Sequence, residues 1–282
     1  MKTGLSKVLT VCLFALAGHG PAMAQHDGFT SVYDKLRARD STITHMVVDW
    51  KGPDRNVRAR LRGTFVIAAG ETGIRSVGQG GVVEFEERRS GVYRRLRATP
   101  AGRNSVSYRY EVDFEPVKFD STARRWFTGL LREIVRETGI TSRLRVERIL
   151  AAGGAAAVLR EIDAIESERS QRMYYERLLE STSLPADTLA LIMRRVRGVF
   201  AADRNLELLI TAVLKQKNCN HEVLAAIMHT SREINDESTR AAVLADVALR
   251  IPEGDEELRG QLEYEVSLLR SPLERRRVLT AK

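Results

Sequence analysis

Cys219, His221 and His229 are the one group of side chains in this sequence whose types approach metal-ligand chemistry. The two histidines stand eight residues apart, so on a helix they roughly share a face. Zinc takes three or four convergent ligands, and its usual helical pair is four apart, so the favoured reading is helix-start and surface residues between two repeats. Glu86–Glu87 and Glu256–Glu257 are paired carboxylates, but with 29% charged residues in the chain they read as exposed charge. Gly78-Gln-Gly-Gly reads as a turn rather than a phosphate cradle, and no serine-centred nucleophile motif is present. The sequence therefore predicts no catalytic, cofactor-binding or metal-ligating set and no enzyme. Arginines supply two further candidates. Arg58, Arg60, Arg62 and Arg109 should share the outward side of a sheet, where they either clamp an anionic ligand through bidentate contacts or pair across strands with Glu84, Glu86 and Glu111. Pairing is the favoured alternative. Arg194, Arg197 and Arg232 should line the inner face of a helical repeat, a groove suited to a peptide or protein.

The elements that position these residues follow from periodicity. Ile165, Phe200, Ile234 and Leu269 recur at steps of 35, 34 and 35 residues. Seven residues before each anchor stand Val158, Met193, Ile227 and Leu262, and nine after stand Tyr174, Leu209, Val243 and Val278. Apolar character at matched offsets is the mark of a structural repeat. Each unit reads as two helices around a short polar break, with Pro185, Asn220 and the Pro252–Gly254 stretch between units. A lone helical hairpin cannot bury its apolar face, so the units must stack into a short α-solenoid over 155–282. The period is close to that of tetratricopeptide repeats, whose Trp, Gly and Tyr pattern is absent; an irregular helical bundle with coincidental spacing is the weaker alternative.

At the start, Lys2 and Lys7, an apolar run from Val8 to Gly18, and Ala22-Met23-Ala24 are the three parts of a secretory signal peptide over 1–24. The run is too short to cross a bilayer as a helix, so the expected product is periplasmic or secreted and not membrane-spanning. Residues 25–41 read as a tether. Removing the leader lowers the formal charge from +8 to +6, and basicity is weighted to arginine, with 37 Arg against 8 Lys. Export makes nucleic acid an unexpected partner; anionic lipid, polysaccharide or an acidic protein would suit an arginine surface. A single remaining cysteine excludes an internal disulfide.

Between 42 and 119 the pattern has period two. Val57, Ala59 and Leu61 alternate with arginines, and Val106, Tyr108, Tyr110 and Val112 alternate with polar residues. Gly81–Glu87 and Gly91–Ala98 are weaker strands, and the short glycine-rich connections favour an antiparallel meander. One face must be covered by the helix bearing Trp126, Phe127, Leu130, Leu131, Ile134 and Val135, capped by Ser121 or Thr122 and ended by Gly139. A second helix, Ser142–Ala152, completes a connecting pair over 120–154 that packs on the sheet, and Gly153–Gly154 breaks it from the repeats. The fold class expected is α+β.

Leu61-Arg-Gly, Gly81-Val-Val-Glu-Phe-Glu-Glu, Tyr108-Arg-Tyr-Glu-Val-Asp, Arg125-Trp126, Arg136-Glu-Thr-Gly-Ile and Val146-Glu-Arg-Ile-Leu-Ala-Ala-Gly-Gly stand in that order. Over roughly 42–282 the chain resembles an exported region that occurs alone or as the extracytoplasmic tail of membrane zinc metallopeptidases similar to the β-lactam sensor. Those repeats carry an Ile-x-Ser-Asp-Tyr-like element at the break, and the tyrosine is missing from Ile165-Glu-Ser-Glu-Arg, Phe200-Ala-Ala-Asp-Arg, Ile234-Asn-Asp-Glu-Ser and Leu269-Arg-Ser-Pro-Leu. The peptidase domain and its His-Glu-x-x-His site are absent too, so the resemblance implies fold, with a sensing or regulatory role by analogy. The function expected is a non-catalytic envelope protein that binds a protein or peptide partner, the alternative being a module for anionic envelope polymer or lipid. No cofactor is expected, and oligomeric state is left open.

Overall fold

The computed structural model describes residues 45–102 and 105–281. The expected leader and tether, with the first three residues of the expected sheet, lie outside the described residues. The fold is α+β: strands come first and helices follow, in two compact units that divide between Val135 and Arg136.

In the first unit, β1 (His45–Lys51), β2 (Arg55–Arg62), β5 (Val82–Arg89), β6 (Val92–Gly102), β7 (Ser105–Val112) and β8 (Glu115–Val117) form one antiparallel sheet in that order. A separate hairpin, β3 (Phe65–Ile67) with β4 (Ile74–Val77), is inserted between β2 and β5. The meander reading therefore holds for the sheet apart from this excursion, whose strands are too short to show a period. Alternation sends Val48, Trp50, Val57, Ala59, Leu61, Val83, Phe85, Leu96 and Ala98 into the core. Helix α1 (Ser121–Thr138) covers that face with Phe127, Leu130, Leu131 and Ile134, and the Phe127 ring meets Phe85 edge-on at 5.1 Å. Its N-terminus is capped by Asp120 rather than by Ser121 or Thr122: one carboxylate oxygen accepts the amides of Thr122 and Ala123, each at 2.9 Å. Polar groups buried under the helix are matched. Glu87, expected from the sequence to be exposed charge, is buried: it accepts from the Trp126 indole at 2.6 Å and from Arg55 at 2.5 Å, and Arg55 forks onto Glu133 at 2.7 and 2.8 Å.

The second unit contains four helical hairpins: α2 (Ser142–Asp163) with α3 (Glu168–Ser181), α4 (Ala186–Val196) with α5 (Asp203–Leu214), α6 (His221–Ser231) with α7 (Glu237–Ala248), and α8 (Glu256–Ser267) with α9 (Pro272–Leu279). The anchors Ile165, Phe200, Ile234 and Leu269 are buried in the breaks, and the residues seven before and nine after each are buried too. The first helices α4, α6 and α8 stack on one another, as do the second helices α3, α5, α7 and α9. Helix α2 corrects the sequence-based division, which put 142–152 with the helices on the sheet. It belongs to the first hairpin: Val146 lies in one core with Val158, Tyr174 and Leu178, while Gly154, at φ +67°, ψ −173°, kinks the helix where Gly153–Gly154 was read as a break.

A second periodicity is polar. Three residues after an anchor stands a carboxylate that accepts the two amides directly following the next anchor. Glu168 takes Ala201 and Ala202 at 3.0 and 3.1 Å, Asp203 takes Asn235 and Asp236 at 3.0 and 2.7 Å, and Glu237 takes Arg270 and Ser271. Glu137 begins the series on Glu166 and Ser167, and Pro272 occupies the equivalent place in the fourth hairpin. These amides open the second helix of each hairpin, where N–H groups lack intrahelical partners and the helix dipole favours negative charge. The repeats are thus stapled by hydrogen bonds to charged acceptors, each contributing about 1.5–3 kcal/mol when shielded and less at an exposed site.

Asp203 gives the cleanest test, because Ala202 offers helix α5 no side-chain cap. Asp203→Ala is expected to lose about 2 kcal/mol in urea unfolding. Burial raises the Asp203 carboxyl pKa, but the Asn235 and Asp236 amides outweigh it, and the net shift is below the ordinary 3.8. Its stabilisation is accordingly present above that value and lost as pH falls through the folded pKa. The gap between wild type and variant should close in acid; a pH-independent gap would contradict the assignment.

Candidate functional site

The three arginines predicted to line a groove come together. Arg194 from α4, Arg197 just after it and Arg232 just after α6 border a cleft of about 720 Å³ that runs across α4, α6 and α8. Most of the remaining lining, apart from Met228 and Glu265, follows a repeat of its own. Counted back from the anchors Ile234 and Leu269, positions 12, 9, 8 and 5 hold Glu222, Ala225, Ala226 and His229 on α6, and Glu257, Gly260, Gln261 and Tyr264 on α8. That spacing is one helical face. Small residues form the floor, and longer ones rise at its ends.

Charge in the cleft is mostly committed. Glu265, almost wholly buried, accepts from Arg232 at 2.5 to 3.1 Å and from Arg240 at 3.0 Å. The Glu265 bond holds the Arg232 guanidinium above its usual pKa against the opposing effect of burial. Arg232 also lies over the exposed Tyr264 ring, 5.5 Å from its centroid. Arg194 pairs with Glu222 at 3.1 Å and Arg197 with Glu233 at 3.8 Å, both exposed pairs contributing well under about 1 kcal/mol. A ligand can therefore recruit Arg194 and Arg197 at small cost, whereas Arg232 is fixed. None of Glu222, Gly260, Tyr264 or Glu265 was singled out from sequence; extending the anchor offsets to polar and small positions would have found the first three.

Arg58, Arg60, Arg62 and Arg109 do share the outward face of the sheet. Register places Asp49, Arg58, Glu86, Arg95 and Glu111 side by side in one row, and Arg60, Glu84, Arg97 and Arg109 in the next. Arg60 pairs with Glu84 at 3.0 Å and Glu86 at 3.6 Å, Arg109 with Glu111 at 2.8 Å, and Arg95 with Glu111 on the other side. Cross-strand pairing thus accounts for Arg60, whereas Arg109 pairs with Glu111 along its own strand. Arg58, Arg62 and also Arg97, all exposed, make no ion pair among the described residues. Burial raises the Glu86 carboxyl, opposed by the Arg60 charge and reinforced by Glu84.

Cys219, His221 and His229 are used separately. Cys219 is half-buried, and burial pushes its thiol up. His221 Nδ1 lies 2.9 Å from Asp255, the N-cap of α8, and His229 lines the cleft. Among the described residues no three His, Cys, Asp or Glu side chains form a group able to hold a metal ion, and no helix is long and apolar enough to cross a membrane. Comparison with family models, with curated proteins and with solved structures finds no match to this chain.

The His221–Asp255 contact joins the third hairpin to the fourth beside the cleft. Its hydrogen bond raises the His221 pKa above 6.5, while the Leu258 amide, followed by His221, lowers that of Asp255 below 3.8. Stabilisation from the histidine is complete below the unfolded value and lost as pH rises through the raised one; that from the aspartate is lost as pH falls through its lowered one. NMR titration should show His221 above its ordinary range in the wild type and back within it in Asp255→Asn. An unchanged midpoint in that variant would contradict the pairing.

Proposed function

We propose that the helical unit is a non-catalytic docking scaffold, and that the cleft across α4, α6 and α8 holds a peptide segment of a partner protein in the cell envelope. Gly260 carries this reading. Glycine inside a helix costs about 1 kcal/mol relative to alanine, yet a Cβ added at Gly260 has no atom within 4 Å. Packing within the hairpins does not require the small residue. The space lies on the cleft floor, continuous with Ala225 and Ala226, and lets a ligand backbone approach the helices.

The walls suit a peptide chain. Tyr264 offers a flat exposed ring, Gln261 both donor and acceptor, Arg194 and Arg197 exposed cations, and Glu257 an exposed carboxylate. The volume is within the range of about 300–1,000 Å³ usual for ligand clefts. The resemblance to extracytoplasmic tails and the expected leader support an envelope location, and a sensing or regulatory role follows by that analogy.

Displayed random peptides selected on the chain test the reading. Selected peptides should bind wild type and lose at least about tenfold in affinity for Gly260→Arg, which fills the cleft from a position with free space and so leaves the fold intact. Arg58→Gln on the sheet should leave binding unchanged. Gly260→Ala should stabilise the chain by about 0.5–1 kcal/mol. Peptides that bind Gly260→Arg as well as wild type would overturn the assignment.

A further inference from the structure

Charge is unevenly divided along the chain. Residues 136–282 contain 23 Arg and Lys against 23 Asp and Glu, whereas residues 45–135 contain 17 against 11. Much of the surplus faces one way. Lys51 and seven arginines occupy outward positions of β1, β2, β5, β6 and β7, against the four carboxylates Asp49, Glu84, Glu86 and Glu111. Four of these arginines, Arg58, Arg62, Arg88 and Arg97, are exposed without an ion pair among the described residues, and Arg97 stands directly opposite Arg109. Like charges in that register are destabilising.

At the end of the same face is a strained turn. Asp113 and Phe114 join β7 to β8 with φ of +50° and +72°, the two-residue geometry that ordinarily takes Asp-Gly or Asn-Gly. Phe114 occupies the place where glycine would be free of strain. The Asp113 amide donates to the Tyr93 carbonyl at 2.8 Å, its carboxylate accepts the Tyr93 amide at 2.9 Å, and the Phe114 ring stacks on the outward ring of Tyr93 at 4.5 Å. Phe114 nevertheless stays 64% exposed, and Val117 on β8 is 48% exposed. A turn that tolerates strain to present an aromatic side chain to solvent points to a role for that side chain outside the fold.

We propose that the outward face of the sheet docks on an anionic phospholipid bilayer, with its unpaired arginines against the headgroups and Phe114, with Val117, entering the interface. A basic surface bordered by exposed apolar side chains suits that surface, because attraction to headgroups and apolar insertion reinforce one another. A soluble polyanion would use the arginines alone. A single-stranded nucleic acid would call for aromatic rings among the cations on which bases stack, and the exposed ring is at the margin instead.

The chain as cells deliver it, whatever processing residues 1–24 receive, is mixed with vesicles of phosphatidylcholine containing phosphatidylglycerol and with vesicles of phosphatidylcholine alone. Binding should favour the anionic vesicles and weaken as salt rises. Replacing Arg58, Arg62 and Arg97 by Gln should cost about fivefold each, on the order of a hundredfold together. Phe114→Gly, which relieves the turn and so should raise the thermal midpoint, should weaken vesicle binding about tenfold. Circular dichroism keeps misfolding apart from lost binding. Equal binding to both vesicles, or no loss in the triple variant, would overturn the proposal. Loss in the triple variant with none in Phe114→Gly, together with equal affinity for soluble polyphosphate or single-stranded DNA, would replace the bilayer by a polymer.

Discussion

One carboxylate accepting two backbone amides is the interaction on which the helical unit depends. The apolar anchors bury surface, but burial is non-directional and tolerates a hairpin sliding along its neighbour. Glu168, Asp203 and Glu237 do not, because each must meet the two amides at the opening of the next hairpin's second helix. Those amides would otherwise lack partners. Hydrogen bonding therefore sets the register that packing leaves loose, and register aligns equivalent positions of α6 and α8. The cleft follows, since most of its floor and walls on α6 and α8 are the same four offsets taken twice.

The two units use charge differently. In the helical unit cations and carboxylates are equal in number, and several are tied in pairs or staples that fix geometry, with Glu265 shared between Arg232 and Arg240 as the most enclosed. A buried ion pair of this kind adds little net stability over an apolar replacement, but removing one partner leaves an uncompensated buried charge. In the sheet unit, the enclosed carboxylate Glu87 is matched by Arg55 and Trp126, while the outward face keeps a surplus. Composition alone, a net +8, does not distinguish these two uses.

Much of the architecture was legible because it rests on apolar periodicity. The four anchors and their matched offsets located the hairpins, and Val57, Ala59 and Leu61 located β2. Arg194, Arg197 and Arg232 were legible as groove residues once the repeat was known. The staples were not, since a single acid at each break is indistinguishable from solvated charge in so charged a chain. Hairpin β3–β4 was too short to show alternation, and the turn at Phe114 lacks the glycine by which such turns are recognised. Helix α2 was grouped with α1 because Gly153–Gly154 marked a break nearer the repeats; its Val146 packs with the first hairpin all the same.

Amide hydrogen exchange at Ala202, Asp236 and Ser271 tests the stapling most directly. The account predicts that all three, though each occupies an N-cap position where no intrahelical bond is made, exchange far more slowly than the amides of the exposed turns, and that Glu168→Ala releases Ala202 while leaving Ser271 protected. Exchange of these amides at the rate of open loops would show that packing alone sets the register, and the carboxylate staples would lose their place in the account.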